Sequence, residues 1–153
     1  SPEFVSWAEE YSEVMTCDIE GRFPWTFYLP RDPNSFGEVM GDDGYFASEF
    51  LGCDFNEGKS NSDLRATVVA FNEYLDENDS QSPYFFGVYY PEYENSENDF
   101  LWGNWHSTFE TMKAGNADWE ENGKAIQAKF DEISTCMSPD YYDSWELYND
   151  PNS

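Results

Sequence analysis

Tyr84-Phe85-Phe86-Gly87-Val88-Tyr89-Tyr90 and Phe100-Leu101-Trp102-Gly103-Asn104-Trp105-His106 are the two stretches on which the fold turns. Aromatic and β-branched side chains suit a pleated surface, so both read as strands. Pro91 stops the first, and the polar run Glu92 to Asp99 joins them as a hairpin. Upstream, Leu64, Val68, Phe71 and Leu75 recur at helical spacing behind Ser62, a candidate cap. Asp76-Glu77-Asn78-Asp79 closes that helix. Before it, Phe46 to Phe55 alternates imperfectly and ends in the turn residues Asn56-Glu57-Gly58, a further strand. Downstream, a short helix over Thr108–Ala114 is expected to end at Gly115 and to restart after Asn116. Trp119, Ile126, Phe130 and Ile133 share its face, with Gly123 among them, where a glycine permits close approach to a sheet. A last strand begins at Ser134-Thr135-Cys136 and resumes, past Ser138-Pro139-Asp140, over Tyr141–Tyr148.

The order strand, helix, strand, strand, helix, strand over residues 46–148 is the split β-α-β arrangement of an α+β domain. It predicts a four-stranded antiparallel sheet in spatial order fourth-first-third-second, with both helices on one face. The other face is too aromatic to leave in water, so a second sheet is expected to pack there.

The 153 residues suffice for one domain with a real core. Aromatic side chains make up 20% of them, which argues for folding despite a mean hydropathy of -0.78. Seven Lys and Arg stand against 32 Asp and Glu, a net charge of -25. That balance excludes a nucleic-acid footprint and an anionic membrane surface as partners. It also favours a medium whose salt or divalent ions screen self-repulsion. No apolar run approaches a membrane span.

Ser1-Pro2-Glu3-Phe4 reads as a cloning-vector remnant, so residues 1–4 are set apart and a secretory leader is expected to have been lost with the native start. Residues 5–45 contain an echo of the closing half of the domain. Tyr11-Ser12-Glu13-Val14-Met15-Thr16-Cys17 parallels Phe130-Asp131-Glu132-Ile133-Ser134-Thr135-Cys136, and Trp25-Thr26-Phe27-Tyr28 parallels Trp145-Glu146-Leu147-Tyr148. This internal repeat predicts a helix over 5–16 and a strand over 23–29, an N-terminal helix-strand half-repeat. Residues 30–45, rich in Pro and Gly, form its linker.

Gly52-Cys53-Asp54-Phe55-Asn56-Glu57-Gly58-Lys59, Phe100 to Trp105 and Phe130 to Cys136 make the chain resemble the dimeric α/β-barrel superfamily, a ferredoxin-like fold. More closely, it is similar to uncharacterised secreted proteins of marine bacteria built from such units. The resemblance spans about two thirds of the chain, and its motifs determine fold and not catalysis. It implies a secreted or periplasmic location. In that fold the first and fourth strands are neighbours, so a Cys53–Cys136 disulfide is expected. Cys17 then competes for Cys53, stays a thiol, or pairs elsewhere; three buried thiols are the alternative.

His106 is the single histidine. With Asn104, Trp102 and Trp105 it marks a cleft between helices and sheet as the candidate ligand or acid-base site, against the plainer reading of a hydrogen-bonded structural histidine. No metal-ligating set and no cofactor motif occurs. Gly41-Asp42-Asp43-Gly44, Asp76 to Asp79 and Glu92 to Asp99 read as solvated acidic loops, with weak Ca²⁺ binding the alternative. The functional expectation is a non-enzymatic acidic module that associates through its sheet, as an oligomer or a tandem assembly. The alternative is a cofactor-independent enzyme or small-molecule binder at His106.

Overall fold

A computed structural model describes residues 6, 10–12, 23–31, 39–78 and 83–146. Along the chain run β1 (Trp25–Tyr28), β2 (Tyr45–Phe55), α1 (Asn61–Glu77), β3 (Tyr84–Pro91), β4 (Phe100–His106), α2 (Phe109–Asn122), α3 (Lys124–Ile133), β5 (Ser134–Cys136) and β6 (Asp140–Trp145). The fold is α+β: the described residues form one open antiparallel sheet of six strands with these three helices. The strands lie in the order β1-β3-β4-β2, and β2 carries both β5 and β6 on its far edge. The strands expected at 46–55, 84–90, 100–106 and from 134 onward therefore keep the predicted order. The sheet does not stop at four, however. β1 adds to the edge of β3, from Trp25 opposite Pro91 to Tyr28 opposite Val88. The last strand is split in two.

That split is a bulge. Cys53 faces Cys136 and Phe50 faces Asp140, so Met137, Ser138 and Pro139 oppose only Leu51 and Gly52. One extra residue shifts the alternation, and Pro139 has no N–H with which to continue the ladder. Asp140 and Tyr142 consequently point to the side of Phe50 and Ser48, whereas Cys136 points with Cys53 towards the helices.

The core lies on the helix side. Leu64, Val68 and Phe71, the predicted stripe of α1, meet Phe86, Val88, Phe100, Cys53 and Ile133. Phe71 is the hub, with its ring centroid 4.9 Å from Phe86, 5.3 Å from Trp119, 5.8 Å from Phe130 and 5.9 Å from Trp102. The cap of α1 is Ser60 rather than Ser62: its amide donates to the Asp63 carboxylate at 2.9 Å. Cys53 and Cys136 form the expected disulfide, with Cα atoms 4.0 Å apart. β1 is tied to α1 by Arg31, which donates to Asp76 at 2.6 Å and to the Asn72 carbonyl at 3.1 Å, and by Arg65 above the Tyr28 ring at 4.4 Å.

Three expectations need correction. Gly115 does not end a helix; α2 runs through it to Asn122 and breaks at Gly123. Gly123 admits the Trp119 ring rather than the sheet, since a Cβ there would sit 2.2 Å from Trp119 Cε3. No second sheet covers the open face among the described residues. The helix expected over 5–16 and Cys17 lie largely or wholly outside the described residues, as does the end of the last strand beyond 146.

Candidate functional site

β4 alternates, so its four candidate residues cannot share one site. Trp102, Asn104 and His106 face the helices, and Trp105 faces away, ringed by Phe27, Phe50, Phe85 and Tyr89. The expected cleft of two tryptophans around His106 is thus divided between the two sides of the sheet.

On the helix side Asn104 is the hub of a half-buried polar cluster. Its Oδ1 accepts from the Tyr84 hydroxyl at 2.7 Å and from Trp102 Nε1 at 2.8 Å. Its Nδ2 donates to Glu49 Oε1 at 2.7 Å, and Asn116 of α2 donates to Glu49 Oε2 at 3.3 Å. Glu49 is only 5% exposed, so these two amides replace water around its carboxylate. Burial, with the nearby Glu49 charge, pushes the Tyr84 hydroxyl well above its ordinary value. Tyr84 therefore acts as a neutral donor.

His106 ends β4 between Ala47 and Tyr84. Its ring centroid lies 5.0 Å from that of Tyr84. It is 4% exposed, and neither Nδ1 nor Nε2 has a hydrogen-bond partner among the described residues. Burial lowers its pKa to about 4, so the imidazole is neutral across the physiological range. Gly115 of α2 leaves room for it: a Cβ there would stand 3.1 Å from His106 Cε1. This explains a glycine inside a helix, where it costs about 1 kcal/mol against alanine.

Glu49, Tyr84 and Asn116 completed this cluster and were not singled out by sequence reasoning. A Glu inside an apolar strand is the one local signal, because a buried carboxylate demands partners. The cluster is closed by its own bonds. Surface clefts of ≈ 310 Å³ beside Trp119 and Gln127, and of ≈ 390 Å³ beside Trp25 and Tyr93, are lined by none of its members. Among the described residues no group of three or more His, Cys, Asp or Glu could hold a metal ion, so the acidic loops do not gather into a Ca²⁺ site there. No helix of the described residues is long and apolar enough to cross a membrane.

The open face is organised differently. Gly87 and Gly103 are paired across β3 and β4. The Phe27 ring lies over Gly87, where a Cβ would be 2.2 Å from its Cε2. Trp105 lies over Gly103, with Cη2 2.7 Å from a Cβ built there. Rings whose edges reach over glycines hide bare backbone, and they meet edge-to-face in one aromatic layer, Phe27 against Trp105 at 85° and Phe50 against Trp105 at 87°. Phe50 extends it to Tyr142 of β6 at 5.9 Å. Phe27 remains 41% exposed and Tyr142 50%.

Compared with protein-family models, with curated proteins and with solved structures, the chain finds no match.

Proposed function

We propose that the protein is a non-enzymatic association module, of the ferredoxin-like kind and working outside the cytoplasm, that packs the open aromatic face of its sheet on a second copy or a tandem neighbour. The observation that carries this reading is the aromatic layer itself. Phe27 and Tyr142 present large rings to water on a face that no described helix or strand covers. Leaving such rings in water forfeits roughly 1.5–3 kcal/mol for each one that a partner would bury fully. The disulfide is compatible with an extracellular or periplasmic setting. The enzyme reading at His106 has weaker support, because its polar neighbours are already satisfied by one another.

Sedimentation at high salt, where repulsion between chains of charge -25 is screened, tests the proposal. Concentration-dependent association is expected, and Tyr142→Glu, which sets a charge in the layer at an exposed position, should abolish it without unfolding the protein. A chain that stays monomeric at every concentration would refute self-association through this face.

A further inference from the structure

At the end of the open face lies a second, separately built feature. The first residues of β1 and the 92–99 loop between β3 and β4 enclose the ≈ 390 Å³ cleft, whose walls include Phe23, Trp25, Tyr93, Glu97, Asn98 and Leu101. Tyr93 stands edge-to-face with both neighbours: its centroid is 5.1 Å from Phe23 at 68° and 5.5 Å from Trp25 at 80°. Three rings thus form walls set nearly at right angles, and Glu97 supplies the one charged side chain among the described residues of the lining.

The loop that carries Tyr93 and Glu97 is held in shape. Glu92 N–H donates to the Pro24 carbonyl at 2.8 Å, and Thr26 Oγ1 donates to the Glu92 carboxylate. Asn95 turns the chain with φ 61°, a left-handed conformation that asparagine tolerates. Ser96 Oγ donates to the Asn98 carbonyl at 2.8 Å. The walls therefore stand in place before any ligand arrives, which lowers the ordering cost of binding.

Ring faces are electron-rich and attract cations, most strongly when the cation is weakly hydrated. A hydrophobic neutral ligand would gain nothing from the exposed Glu97 carboxylate, and an anion would be repelled by it. Among the described residues no Lys or Arg lies on any strand or lines the cleft. The surrounding charge of -25 also concentrates cations near the surface.

We infer that this cleft binds an alkylammonium group, held against Phe23, Trp25 and Tyr93 with Glu97 as counter-charge. The group is carried either by a free quaternary amine or by a lysine or methylated lysine of a polypeptide. The site is independent of association through the sheet and stands if that reading fails.

The test is a calorimetric titration of the intact chain with choline and with 3,3-dimethylbutan-1-ol, its uncharged carbon isostere, with the Trp25 indole resonance followed wherever Trp25 is present. Choline should bind and shift Trp25, and the isostere should bind far more weakly. Trp25→Leu, which keeps the net charge, should weaken choline by about two- to thirtyfold. Glu97→Gln, exposed and remote from the core, should weaken it by about threefold while leaving the melting temperature unchanged. A trimethyllysine peptide that binds more tightly than choline identifies a polypeptide ligand, and the reverse order identifies a free amine. Equal binding of choline and its isostere would overturn the inference, as would choline binding that Trp25→Leu and Glu97→Gln leave intact, since bulk charge then explains it.

Discussion

The two faces of the sheet solve the same burial problem in opposite ways. On the helix side, Phe86, Val88 and Phe100 stand up from the strands and interlock with Leu64, Val68 and Phe71, each at most 5% exposed. On the open side, the edges of Phe27 and Trp105 fill the space above Gly87 and Gly103, and the two rings pack edge-to-face at 85°. Interlocking needs a partner layer; rings that pack edge-to-face above glycines need only one another and the space beneath. A sheet can therefore keep an aromatic face ordered in water by giving up two side chains at its centre. The polar groups divide likewise. Glu49, Asn104 and Tyr84 are enclosed on the helix side with their bonds satisfied, whereas Asp54 and Asp140 face solvent at the rim of the other.

The largest test of this contrast is the same truncation on each face. Phe86→Ala opens a cavity under α1 and should cost about 3–5 kcal/mol. Phe27→Ala removes a ring already 41% in water and should cost roughly half as much. Chemical denaturation of both variants checks the ratio. Equal losses would mean that the open face is packed as tightly as the core.

Acid should act on the helix side through His106. His106 has a folded pKa of about 4 against an ordinary 6.5. As pH falls below 6.5 the unfolded chain takes up a proton that the folded one refuses, so stability is lost progressively down to about 4. The loss approaches about 3 kcal/mol. Glu49 and Tyr84 share that pocket, and the chain carries 32 Asp and Glu, so the clean measurement is a difference. His106→Phe fills the space, abandons no hydrogen bond among the described residues, and should remain stable at neutral pH. Its stability should fall less steeply with acid than that of the wild type. Identical pH profiles for the two would show that His106 is not the group responsible.

Much of the covered face was legible in the sequence, and little of the open one. The stripe Leu64, Val68, Phe71 fixes α1 because helical spacing is local, and the pairing of Cys53 with Cys136 follows once strand order is known. The bulge at Met137–Pro139 and the edge position of β1 depend on pairing with residues far along the chain, and alternation within one strand cannot reveal them. Trp105 and His106 are adjacent in sequence, which invited a shared site; the two-residue period of β4 puts them on opposite sides. Glu49, Tyr84 and Asn116 escaped notice because each is unremarkable until the strands and α2 bring them together.

The finest test compares two glycines that each lie under a ring. At Gly103, on the open face, a methyl group would meet Trp105 Cη2 at 2.7 Å and Phe50 Cε1 at 3.0 Å. Both are the far ends of rings, so the strain is relieved by lifting Trp105, at a cost of about 1–3 kcal/mol. The lifted indole should be more accessible to a collisional quencher, and its resonance should move. At Gly115, inside α2, the same methyl group would meet His106 Cε1 at 3.1 Å, a shortfall of a few tenths of an ångström. There alanine also gains about 1 kcal/mol of helix propensity, which offsets the contact. Gly115→Ala should therefore change stability by less than Gly103→Ala and should leave Trp105 undisturbed. If Gly103→Ala instead proves neutral and the Trp105 resonance stays where it was, the indole does not rest on that glycine, and ring-over-glycine packing is not what keeps the open face in order.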